Sequence, residues 1–159
     1  MLDRPISDAE FNEYSNLQTE ARVIRVRAER IAQLLVEEFA PDSASRLTHG
    51  VEFAPGEGNV VAMCRTIFGE GRIRLVIGAK NRTATGRLIV ERVDEDSFGR
   101  AAWKPVWNFH VPSSEKLVIG TPPNARWYLL YNNSIQSHED AIYALGMSIN
   151  YAIAAYAPE

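Results

Sequence analysis

Five cations fall within one short run of the chain, Arg72, Arg74, Lys80, Arg82 and Arg87. They are the residues whose types and spacing most directly suggest chemistry. Guanidinium and ammonium groups set on neighbouring strands bind anionic oxygens, and arginine does so with a planar fork that matches carboxylate and phosphate. One expectation is therefore a cradle for a nucleotide, a phosphorylated metabolite or an acidic partner surface. The other is an exposed sheet face laced by cross-strand ion pairs. Arg72 and Arg74 share one face of a strand, and in the simplest hairpin register Glu91 opposes Arg74, so part of the charge is answered within the chain.

Other reactive side chains are scattered. His49 falls in a loop, His110 on a strand and His138 in the first turn of a helix, with no partner at metal-ligand spacing and no nucleophile motif beside them. Cys64 lies inside an apolar strand and reads as a small core residue. The glycines of "GEGNV" and "FGEGR" lack the lysine and helix start of a phosphate-binding loop. No catalytic residue, metal site or cofactor is assigned, and the balance leans away from an enzyme.

The chain has 159 residues, 46% hydrophobic and 23% charged, with a net charge of −3. That is the length and apolar content of one domain spanning 1–159 with a single core. Nucleic-acid binders draw their affinity from neutralising phosphates, which an acidic chain does poorly. One cysteine permits no intrachain disulfide, and "MLDRPISDAE" has no apolar run of the kind a secretory signal needs, so the expected setting is cytoplasmic. Residues 141–158 carry no charged side chain. They lean on alanine and include Gly146, Ser148 and Asn150, which predicts a buried C-terminal helix and no membrane span.

Three kinds of segment must position these residues. Ser7 and Glu10 have capping-box spacing, and a helix over 7–40 follows, with Tyr14, Leu17, Ala21, Ile24, Ala28, Ile31 and Leu35 in one stripe. Leu17, Ala21, Ile24, Ala28, Ile31 and Leu35 are the expected seam of an interface. Arg22 and Arg25 border it on one flank and Arg27 and Arg30 on the other, so no single basic stripe forms, and Glu20 and Arg25 fit facing g and e positions of a paired helix. Valine- and aromatic-rich runs between 47 and 131 predict strands in meander order, five to seven in all, the first of them doubtful. Trp103, Pro105, Trp107, Phe109 and Val111 alternate onto one face, and Pro105 predicts an edge strand. Ser137 and Asp140 start a helix over 137–157 that packs on the sheet through Ile142, Leu145, Ile149 and Ile153.

The fold expected is thus α+β: a long N-terminal helix, an antiparallel sheet in meander order and a C-terminal helix on that sheet. The function expected is a non-catalytic protein-binding module of the inhibitor, adaptor or assembly-factor kind, acting through a sheet or helix face and homodimeric. Its rival is a sensor or small enzyme for an anionic ligand on the arginine-rich strands.

Overall fold

The computed structural model describes the backbone of residues 3–41, 48–112, 116–119, 126–129 and 135–155. Helix α1 spans Asp8–Glu38. It opens on the expected capping box: Glu10 N–H donates to Ser7 Oγ at 3.2 Å and Ser7 N–H donates to Glu10 Oε1 at 3.2 Å. Strands β1 (Glu52–Pro55), β2 (Val60–Thr66), β3 (Gly69–Lys80), β4 (Thr83–Glu95) and β5 (Ala101–His110) form one antiparallel sheet in the order of the chain. A separate hairpin pairs β6 (Lys116–Ile119) with β7 (Arg126–Leu129), and α2 spans Ile135–Ala155. The doubtful first strand is real but short. Helix α2 begins two residues before Ser137, which therefore lies inside its first turn and is not its N-cap.

The fold has two layers because side chains alternate along each strand. Ile73, Leu75, Leu88, Val90 and Phe109 point to one face and join Ile31, Leu35 and Phe39 of α1, Leu117 of β6, and Ile142, Leu145, Ile149 and Ile153 of α2 in one buried cluster. Gly146 permits this closeness: a Cβ there would collide with the Phe39 ring. At the end of α2, Arg92 of β4 donates Nη1 to Ile153 C=O at 2.7 Å, placing a cation at the negative end of a helix that carries no basic residue in its own last turn.

Two turns set the registers that matter. Asn81 and Arg82, both left-handed at φ 51° and 61°, join β3 to β4 as a two-residue connection, so Arg72 stands directly opposite Glu91 and Arg74 opposite Ile89. Glu91 had been expected opposite Arg74, two residues away. On β5 the register shifts between the pairs Val90–Trp107 and Glu91–Pro105, leaving Val106 as the extra residue of a bulge. That bulge divides the aromatic set predicted on one face. Trp107 and Phe109 stay with the core, whereas Trp103 and Pro105 turn to the other side of the sheet. β5 is an edge strand, as Pro105 requires.

Candidate functional site

The face opposite the helices carries Met63, Arg72, Arg74, Val76, Arg87, Ile89, Glu91, Val93 and Trp103 by strand alternation, and no described helix belongs to it. Its centre is a cluster of four side chains from three strands. Glu91 Oε1 accepts from Arg72 Nε at 2.8 Å and from Arg74 Nε at 3.1 Å. The Arg72 guanidinium lies over the Trp103 ring, 4.4 Å from its centroid, a cation–π contact.

Glu91 is 4% exposed, although it sits on an open face. Burial acts to raise the Glu91 carboxyl pKa, but hydrogen bonds from Arg74 and Arg72 and their positive charges together outweigh it and hold the group below its ordinary 4.5. The carboxylate thus stays ionised and fixes both forks in place. Two cations on one anion leave one net positive charge. Each arginine spends only Nε on Glu91, and the Nη groups of both have no hydrogen-bond partner among the described residues. The arrangement can accept an oxyanion at little ordering cost, because the forks are already held.

The five predicted cations do not form one cradle. Arg72 and Arg74 are joined through Glu91, and Arg87 is exposed on the same face opposite Val76. Lys80 and Arg82 lie at the hairpin tip, where Arg82 pairs with Glu13 at 3.6 Å. Trp103 belongs to the site and was assigned to the wrong face. Pro105, awkward in a regular ladder, was the one sign in the sequence that the alternation breaks there.

The helix seam divides in two. Ala28, Ile31 and Leu35 are buried in the chain's own core, packed on its sheet and α2, while Leu17, Ala21 and Ile24 are only partly covered and Tyr14 is 59% exposed. Glu20 and Arg25 are engaged within the chain: Glu20 Oε2 accepts the Ala84 N–H at 2.7 Å, and Arg25 Nη2 donates to Asn59 Oδ1 at 2.9 Å.

Cys64 is buried, and burial pushes its thiol up to about 12, far from a nucleophile. His49 and His110 are exposed, and the His138 side chain lies outside the described residues. Among the described residues no group of three or more His, Cys, Asp or Glu could hold a metal ion, and no helix is long and apolar enough to cross a membrane. A groove of about 330 Å³ runs along β1 and β2 beside Glu52, Met63, Arg65 and Glu70, and another of about 580 Å³ lies between α1 and the start of β4. Neither includes Arg72 or Arg74. The chain matches no family model, no curated protein and no solved structure.

Proposed function

We propose that this chain is a non-catalytic binding module that holds a protein partner on the open face of its sheet. Arg72 and Arg74 take an acidic side chain of that partner, and Trp103 with Met63, Ile89 and Val93 provides the apolar ground around it. The observation that carries this reading is the shared Glu91 oxygen, which fixes two forks, their Nη groups without a partner among the described residues, beside a tryptophan on a face that no described helix covers. Arginine and tryptophan are the residue types most enriched among residues that dominate binding energy at protein interfaces. A small anionic ligand is less well served, since such sites are concave and the two grooves described among these residues are lined by neither arginine.

The test is affinity purification from the source cells with wild type, Trp103→Ala and the double variant Arg72→Glu/Arg74→Glu, each first shown to be folded. A stoichiometric protein retained by wild type and lost by both variants supports the reading. A thermal shift with nucleotides or phosphorylated metabolites that Arg72→Ala abolishes favours the anionic-ligand rival instead. Homodimerisation is proposed as well, through the N-terminal half of α1. There Phe11 is 57% and Tyr14 59% exposed on a helix otherwise packed on its own sheet.

A further inference from the structure

Away from the open face, the first residues of β4 have no paired strand on their β5 side among the described residues. The partner pairs of β4 and β5 begin at Arg87 with His110, whereas β4 itself begins at Thr83, so Thr83–Thr85 have β3 on one side and, among the described residues, no paired strand on the other. Val111 N–H donates to Gly86 C=O at 2.9 Å from the β5 side. Backbone groups alternate along a strand, so Ala84, two residues earlier, directs its N–H and C=O to that same side. The Ala84 N–H is met by Glu20 Oε2 at 2.7 Å. A side-chain carboxylate thus stands where a neighbouring strand would place a carbonyl oxygen.

This edge forms one wall of the groove of about 580 Å³, and α1 forms the other with Val23 and Ile24. Val23 is 45% exposed there. Opposite charges stand toward the two ends: Glu20 and Arg27, seven residues and about 10 Å apart along α1. Arg27 donates Nη1 to Pro112 C=O at 3.1 Å, next to the Val111 end of the groove.

We propose that this groove takes an extended segment of a protein partner, which adds as an antiparallel strand to the free edge of β4. Its apolar side chain rests on Val23 and Ile24, an acidic residue faces Arg27 and a basic residue faces Glu20. The charges select this occupant. Four strand steps at about 3.3 Å place two same-face side chains about 13 Å apart, within reach of both charges. A polyanion would meet Glu20, and an apolar helix, whose own backbone groups are paired internally, would offer nothing to the Ala84 C=O and Gly86 N–H. On docking, the segment's carbonyl takes the Ala84 N–H and the Glu20 carboxylate passes to the incoming cation, so no buried group is left without a partner. Antiparallel pairing runs from the Arg27 end to the Glu20 end, which puts the acidic residue first in the segment.

The probes are two peptides, Ac-Glu-Thr-Val-Thr-Lys-NH2 and its charge-swapped form Ac-Lys-Thr-Val-Thr-Glu-NH2, titrated to millimolar concentration into the isotope-labelled full chain. The first is expected to shift the Ala84 and Gly86 amide resonances, and the second to bind at least about tenfold more weakly. Val23→Glu, a half-exposed position, first shown to be folded by circular dichroism, is expected to weaken the first peptide by a similar factor. Arg72→Ala is expected to leave it unchanged, which separates this groove from the open face. No shift at Ala84, equal shifts with both peptides, or shifts confined to the Arg72 face would overturn the proposal. So would Ala84 shifts that follow protein concentration without peptide, since a second copy would then be the occupant.

Discussion

Replacing Glu91 by glutamine keeps the shape of the side chain and removes its charge. In the native protein two arginine Nε groups donate to Oε1 at 2.8 and 3.1 Å, and the carboxylate has only 6% of its side-chain surface exposed. The guanidinium donors stay charged, so bonds to glutamine remain charge-assisted and the loss is the attraction of two partly exposed ion pairs, up to about 1 kcal/mol each and near 2 kcal/mol together. The arginines keep a quarter to a third of their surface in water, which lets their freed charge be solvated and keeps the loss from the larger cost of an orphaned buried ion. At about 2–4 °C per kcal/mol for a chain of this size, Glu91→Gln lowers the melting temperature by about 4–8 °C at pH 7. The pH dependence is the sharper part. The native Glu91 pKa is depressed below its ordinary 4.5, so the stabilisation is complete above that value and is lost as pH falls through the native pKa. Urea unfolding of both proteins between pH 7 and pH 3 should therefore show a stability gap that is constant at neutral pH and closes below about pH 4.5. A gap that persists unchanged in acid, or none at pH 7, would refute the account of Glu91 as an ionised anchor.

Leu35→Ala and Tyr14→Ala test the division of the α1 seam: the first removes a wholly buried side chain and costs about 2–5 kcal/mol, the second changes stability by less than about 0.5 kcal/mol, both read by urea unfolding. Tyr14→Ala together with Phe11→Ala is also expected to convert the proposed dimer to monomer by light scattering; a wild-type chain that is monomeric at micromolar concentration would remove that proposal. The Cys64 thiol should stay unreactive toward a disulfide reagent in the native protein at pH 8 and titrate as one thiol in denaturant, because burial holds it protonated. Gly146→Val forces a branched side chain against the Phe39 ring and is expected to cost about 3 kcal/mol or prevent folding, measured by circular dichroism and melting.

Much of the architecture was legible before any coordinates. The period of Ala28, Ile31 and Leu35, the capping box at Ser7 and the valine-rich alternation of the strands each depend on residues a few positions apart, and each has its expected element in the structure. The candidate site was legible only in part. Arg72, Arg74 and Glu91 could be named, but their pairing was placed two residues off because the Asn81–Arg82 turn is tighter than the loop assumed from "KNRTATG". Trp103 could not be placed by alternation, because one extra residue at Val106 reverses which face follows it. Glu20 read as a helix-flank charge; that it meets the Ala84 N–H, 64 residues along the chain, has no signature in the sequence around either one.

The sequence by itself determined the helices, the strand-rich middle, the α+β class and the absence of any local catalytic motif, since these rest on side-chain period, capping and composition within short windows. Only the tertiary structure decided which half of α1 is buried, which face of the sheet the described helices leave open, and that two arginines converge on one carboxylate there, with a tryptophan under one of them. Those outcomes depend on strand register and on where the sheet ends beneath the helix. A one-residue bulge or a two-residue turn changes them completely while leaving the hydrophobic pattern of each segment the same.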